Sequence, residues 1–487
     1  MATKIYEDAT TKELVIVRGT LESRYAASSD LSRTNDDNSK LSVNHSNNES
    51  SVLDPIVFSN LQNEAGAAYA SFAELKNSLD GYFSFEATNY EDIVLPSGMN
   101  IAMPFTIETS GSLYKISDDF DIKERANIAV SKTYFVDSVL GDDSNNGTSE
   151  ATPFKTLTRV ESNADADRIY VKRGSYFHKN ERPISITRSV EVIAYGEGDK
   201  PVISADTSNQ FGTFSQTDNY YSATAVDYVG RLIDTSVLDS DGQPRPYTMA
   251  ASISDVNSTQ GSFFWVGNVI YVRTFDDRTP DSALIYLDNL AYRTRLDNTT
   301  QYFENIEFFS SVQLQNNTGA GGSKSYFLNC NLTYGGHQVL GQDEAIFQNC
   351  KIISLSGDAM NIDDRNSLVS NVYEISSFFS NYKNGQTNSQ GSTLHAGSNA
   401  LSINSTYTKT AGQCIGDTGT GQRYILGCSL GDSSTGVSLA TQNNCFIEGS
   451  FLNKDLISID ISSTGTVKYK NNAMDGGVNN LGTYTAY

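Results

Sequence analysis

From residue 301 to the C-terminus, apolar and polar residues alternate in short bursts that share one form: YFENIEFF, YFLNCNLT, IFQNCKII, LVSNVYEI, LSINSTYT, YILGCSLG, FIEGSFLN and KYKNNAMD. Aligned on their fourth residues, Asn305, Asn329, Asn349, Asn371, Asn404, Gly427, Gly449 and Asn471, they recur at intervals of 24, 20, 22, 33, 23, 22 and 22. Such alternation is expected of a strand with one buried face, and each burst runs into a polar or Gly-containing turn. An interval near 22 residues leaves room for three short strands and three corners. That is one coil of a parallel β-helix, with coils stacked at about 4.8 Å. Cys330 and Cys350 hold one position on consecutive coils and Cys428 returns to it, so these thiols are expected to stack inward as small apolar groups. The corner Asn residues are expected to stack into an amide ladder.

Composition supports an all-β chain. Of 487 residues only 9 are Pro, while 27 Tyr and 23 Phe supply much of the apolar area, which suits strands and turns. The net charge of -22, from 35 basic and 57 acidic residues, opposes phosphate backbones and anionic lipid, so no nucleic-acid partner and no membrane insertion are expected. The opening MATKIYEDATTKELVIVRG lacks a basic segment followed by an apolar one, and nowhere do 18 apolar residues run together; no signal peptide and no membrane span are expected. Five Cys leave one over under complete pairing, and none has a Cys-x2-Cys or nearby His companion. Free thiols follow, with no zinc site, no other metal and no cofactor.

Four segments are expected. In residues 1–130 the polar LSRTNDDNSKLSVNHSNNESS reads as an arm that orders on a partner. A short helix follows, with a Ser71–Glu74 capping box, an apolar face of Phe72, Leu75 and Leu79, and Gly81 as its stop. Residues 131–205 carry the chain into the β-helix, residues 206–300 break the period as an inserted β excursion containing the lone Trp265, and residues 301–487 hold the regular coils. The loop GDDSNNGTSE opens like a calcium loop, but Pro153 stands where the bidentate Glu belongs, and a plain turn is expected.

The string GDDSNNGT, then PFKTL, then IYVKRGSY resembles the start of right-handed β-helix proteins of the pectate-lyase-like type. That resemblance implies a right-handed single-stranded parallel β-helix; it leaves the reaction open, since the fold hosts lyases, hydrolases, epimerases and adhesins. The phrase GSFFW…IYVRTFDDRTPDS is similar to segments of phage-encoded β-helix proteins, and the short helical stretch FSNLQNEAGAAYASFAELKNSLDGYF, residues 58–83, resembles the docking segment of phage virion proteins. The resemblance implies a homotrimer displayed on the virion, attached to other virion proteins through residues 1–130 and meeting host surface polysaccharide along its flank.

Counting from each corner Asn, Asp343 and Asp363 lie 14 residues on, Asp417 lies 13 on, and His395 lies 13 on once about 11 extra residues of the long coil are subtracted. These four are expected to line one face of adjacent coils. Stacked carboxylates with a His suit acid and base work on a glycosidic bond. In NIDDR, alternation places Asp363 and Arg365 on one side and Asp364 on the other; an Arg beside Asp also resembles pectate-lyase sites. GDAMNIDD, which contains Asp358, followed by GSTLHAG and GQCIGDTG, is similar to a pattern that recurs in phage-encoded β-helix proteins. Acidic residues are equally what solvated corners carry, and among 57 of them a chance column arises readily. Three functions stay open: a tail spike or fibre that binds host glycan, a polysaccharide hydrolase or lyase on the same scaffold, and a structural virion protein without a receptor. A bacterial surface or secreted carbohydrate enzyme is disfavoured by the missing export signal.

Overall fold

The computed structural model describes residues 90–487 apart from short internal stretches, together with five short strands between residues 3 and 43. Those five strands form a three-stranded antiparallel meander and a separate two-stranded pair. The helix expected over residues 71–81 lies outside the described residues.

The chain is the right-handed parallel β-helix that its period predicts. Three parallel sheets of 12, 10 and nine strands run its length, and each strand pairs with its counterpart one coil away. The first sheet begins at Thr133–Val136 and ends at Thr483–Ala486, the second runs from Tyr176–Phe177 to Ala473–Met474, and the third from Tyr292–Arg293 to Gly477–Asn480. Because side chains alternate across a strand, every coil sends one set inward. On the first sheet that set includes Phe303, Phe327 and Phe347, whose rings stack at 5.0 Å steps. Breaking such a stack costs both buried area and favourable ring contact.

The corner that the sequence motif marks is a left-handed backbone turn. Asn305, Asn329, Asn349 and Asn404 have φ between 48° and 58°, and Gly427 and Gly449 have 59° and 58°. Asn and Gly are the residues that reach this region at least cost. The sequence alignment misplaces one member. Ser376, φ 48°, holds the corner assigned to Asn371, since Gln348 pairs with Ile375. The apparent intervals of 22 and 33 residues are therefore two coils of nearly equal length, 27 residues from Asn349 to Ser376 and 28 from Ser376 to Asn404. Asn371 lies at another corner, where Asn399 Nδ2 donates to its Oδ1 at 3.1 Å, a single amide pair. Cys330, Cys350 and Cys428 stack inward as expected, buried and unbridged with Cys414 and Cys445. The same column also carries Ser377, Ser405 and Ser450, whose hydroxyls accept from the backbone N–H of the preceding coil.

Two segments cover the solenoid. Residues 90–126, grouped in the sequence reading with the docking region, form a small antiparallel sheet and the helix Ile122–Ala126. Ile101, Phe105, Ile107, Tyr114 and Ile122 pack on the outward row Tyr302, Tyr326, Ile346, Tyr373, Leu401 and Tyr424 of the first sheet. Arg125 clamps Glu344 through two bonds of 2.9 and 2.6 Å, a bidentate geometry that fixes the helix in place. Between the second and third sheets of one coil, the excursion at 206–300 builds a five-stranded and a three-stranded sheet around their own core, Tyr221, Val229, Leu232, Phe263, Ile270 and Tyr286. It leans on the second sheet through Ile233 and Leu287 against Phe309 and Tyr334. The loop 141–150 is a plain turn: Gly147, φ 67°, leaves the room that the Phe154 ring occupies. Asp143 in that loop accepts from the N–H groups of Lys155 and Thr156.

Candidate functional site

The third sheet presents a polar outward face. Its strands place Gln313, Gln338, Asn361, Thr393, Gly416 and Ser438 in one outward row, with Ile362, Leu394, Asp417 and Leu439 in an inward row beside it. Asp363 pairs with Leu340. His395 follows Leu394, the partner of Ile362, so Asp363 and His395 are outward neighbours on adjacent coils, and the next place belongs to Thr418.

His395 is held at both ends. Asn361 Nδ2 lies 3.2 Å from its Nε2 and Thr418 Oγ1 lies 2.7 Å from its Nδ1. With the amide nitrogen donating, Nε2 accepts and the ring proton sits on Nδ1, donated to the hydroxyl. Asp358, at the turn into the strand Met360–Asp363, accepts from the Gln390 N–H at 2.8 Å. Burial pushes its carboxyl pKa upward, against the opposing pull of that N–H, of the Thr393 and Asn361 side chains and of His395. Gln390 extends over Gly416, where a Cβ would meet it at 2.8 Å, and its side-chain amide bonds Gln413 and Thr393. The result is a polar shelf of carboxylate, imidazole, amide and hydroxyl groups spanning three coils.

The expected column of four residues is corrected at two places. Asp417 faces inward, fully buried, because it pairs with Leu394 and Leu439 in the core row. Asp343 is exposed at the turn before the strand Glu344–Gln348, where it accepts from the Gly322 N–H at 2.7 Å. The coil of Asp363 spends three more residues between its corner and this row than the coil of Asp343 does, so an equal count does not give an equal place. Nor does alternation extend to Arg365: the strand ends at Asp363, whose Oδ1 accepts from the exposed Asp364 N–H, and Arg365 pairs with Leu368 across a tight turn. Asn361, Thr393, Gln413 and Thr418 lie in the motifs GDAMNIDD, GSTLHAG and GQCIGDTG but, like Gln390, were not named there as site residues. Asn361 and Thr393 were within reach of the sequence reading, since they share parity with Asp363 and His395.

Asp417 belongs instead to a charged cluster sealed inside the solenoid. Arg423 Nε lies 3.1 Å from both Asp417 oxygens, and its Nη1 lies 3.3 Å from Glu374 Oε2. Ser392, Ser402 and Tyr407 donate hydroxyls to Glu374 at 2.7, 2.8 and 2.6 Å. All three charged side chains have no exposure. His337 is likewise inward; burial drives its imidazole down to about 3, and Nδ1 accepts from the Val312 N–H. Among the described residues no cluster of His, Cys, Asp and Glu has the form of a metal site, and no helix is long and apolar enough to cross a membrane.

No protein-family profile matches the chain. It is similar to lacto-N-biosidase of Bifidobacterium longum, 27% identical over 237 residues, which is 46% of this chain and 14% of that protein. The chain thus spans about a seventh of that relative's length. Among solved structures it is similar to XylC in complex with xylose, with TM-score 0.48, 11% identity and coverage of 72% of this chain and 68% of the other. It is also similar to tailspike protein 3 of bacteriophage CBA120, with TM-score 0.34, 11% identity and coverage of 85% and 66%.

Proposed function

We propose that this chain is a phage tail spike or fibre whose β-helix engages host surface glycan along the outer face of the third sheet. The observation that carries the reading is the partly exposed polar row of Asp358, Asn361, Asp363 and His395, backed by buried Gln390 and Thr393 and built from side chains that hydrogen-bond sugar hydroxyls, while the first sheet is covered by residues 90–126. The phage-like motifs of residues 261–282 and 357–419 point the same way, and so does the likeness to a lacto-N-biosidase over part of the chain. In this reading the protein is a homotrimer on the virion, attached through its N-terminal region.

A second reading, cleavage of the bound polysaccharide, is favoured by one feature of the shelf. Asp358 is part-buried with its carboxyl pKa raised, and Asp363 lies on the same outward side next to His395. Two carboxyl groups in unlike environments are what glycosidic acid and base roles require. Asp358 would protonate the leaving oxygen and Asp363 would act on the sugar side. His395, with both ring nitrogens engaged, would position Asn361 and the sugar rather than take the proton itself.

The test is incubation of the purified protein with surface polysaccharide from candidate hosts, following polymer size, new reducing ends and ultraviolet absorbance from unsaturated sugars. Shortening that falls at least 100-fold in Asp358→Asn and Asp363→Asn, the order expected for loss of an acid or base, establishes a depolymerase. Binding without shortening, lost in His395→Ala, leaves a receptor-binding spike. Retention of both activities in all three variants refutes the site.

A further inference from the structure

A second concave surface lies away from the third-sheet shelf, where the excursion at 206–300 meets the first coils. It is a cleft of about 640 Å³, with His178 and Asp206 on the solenoid side and Phe211, Phe214, Thr279 and Ser282 on the excursion side. Its volume falls within the range of small-molecule sites. Asp206 is 2% exposed, and its Oδ1 lies 3.2 Å from His178 Nδ1. The carboxylate lies beside Nδ1 as a close ionic contact rather than a hydrogen bond, and Nε2 is the opposite end of an imidazole that lines the cleft. Tyr176 packs on the His178 ring at 4.9 Å and holds it from the side.

The floor is rigid. Gln210 is locked by two bonds of 2.7 Å to the backbone of Tyr286, and Phe211 packs edge-on to Tyr286 and at 5.5 Å against Phe214. The carboxylates lining the cleft are Asp206 and Asp281; Arg278, 3.7 Å from Asp281, is already bonded to buried Asp234 at 2.9 Å. Thr207 Oγ1 is buried without a hydrogen-bond partner. The two carboxylates oppose an anionic ligand, while hydroxyl groups and two aromatic rings match a neutral polyhydroxylated ligand whose C–H faces pack on rings.

We propose that this cleft is a binding site for a neutral oligosaccharide, with His178 Nε2 bonding a sugar hydroxyl and Phe211 and Phe214 contacting the ring faces. It is separate from the third-sheet shelf and stands whether or not that reading holds.

The experiment is titration of the whole protein with neutral oligosaccharides of glucose, galactose and N-acetylhexosamine, about two to four rings long to suit the cleft. Binding is read by calorimetry and by saturation-transfer NMR. The expected result is binding that weakens at least tenfold in His178→Ala and Phe214→Ala and is abolished by Ser282→Trp. Ser282 is exposed on the rim, so the Trp variant blocks the cleft without disturbing the core. Failure of every neutral oligosaccharide to bind, or binding that survives Ser282→Trp, overturns the proposal. Loss in Asp363→Asn and His395→Ala alone assigns the binding to the shelf and equally overturns it.

Discussion

Replacing Arg423 with leucine strips the only cation from a cluster that holds Glu374 and Asp417 at zero exposure. The variant loses both bonds from Nε to Asp417 at 3.1 Å and the contact to Glu374 at 3.3 Å, and leaves two carboxylates side by side in the core. Removing one partner of a buried pair costs about 3–5 kcal/mol, because the remaining charge is desolvated without compensation. At about 1.4 kcal/mol per decade, the local opening equilibrium shifts by about two to four powers of ten. A solenoid does not unfold as a single unit, so the measurement is hydrogen exchange of the amides in Asn371–Ile375, Ser392–Leu394 and Gln422–Leu426. The strand Thr300–Glu304, far along the stack, serves as the internal control. Replacing Glu374, Asp417 and Arg423 together with apolar residues should recover most of the loss, since apolar substitutes for whole buried ion clusters are neutral or stabilising. Exchange in Arg423→Leu that stays within about 0.5 kcal/mol of the native protein, the range of an ordinary surface change, refutes the reasoning.

Asp417 also sets an unusual pH response. Burial lifts its carboxyl from 3.8 to about 6, so the folded chain binds this proton more tightly than the unfolded one. Its stabilising contribution is fully present below about 3.8 and is lost as the pH rises through about 6. Local protection of the strand Gln413–Asp417 should therefore increase as the pH falls from 7 toward 5, after correction for intrinsic exchange, and Asp417→Asn should flatten that slope. At the left-handed corner, Asn349→Ala should cost about 1–2 kcal/mol in the same exchange measurement, whereas Asn349→Gly, at φ 54°, should cost much less.

How far the sequence could be read depends on which physical signal each residue carries. The corner phrase was legible because a left-handed turn selects Asn or Gly, and all eight aligned residues are one or the other in a shared motif. Ser376 broke the reading: it takes the same φ of 48° without the residue type that advertises it, and Asn371, five positions earlier, drew the alignment. The site residues show the limit of counting. Asp363 and Asp417 lie 14 and 13 places beyond their corner Asn residues, and in a strand an offset of one moves a side chain to the other face. The charged cluster was not legible: Glu374 and Arg423 stand 49 residues apart, and nothing local marks a charge as inward except parity with Ile425 on its own strand. The cleft at His178 depends on a contact between the first coils and a segment 100 residues further on, which no periodicity encodes.

The sealed cluster bears on how such a chain finds its correct assembly. Coils built from near-identical phrases could be threaded one turn out of step, and stacked Phe, Ile and Cys would penalise the error only slightly. Glu374, Asp417 and Arg423 come from two different sheets and consecutive coils, and they close around one another only when those coils follow in native order. A skipped or repeated turn would strand a charge in a dry interior at a cost of several kcal/mol. In a monotonous stack, three ionic side chains act as an indexing key, which makes the native threading distinguishable from its neighbours.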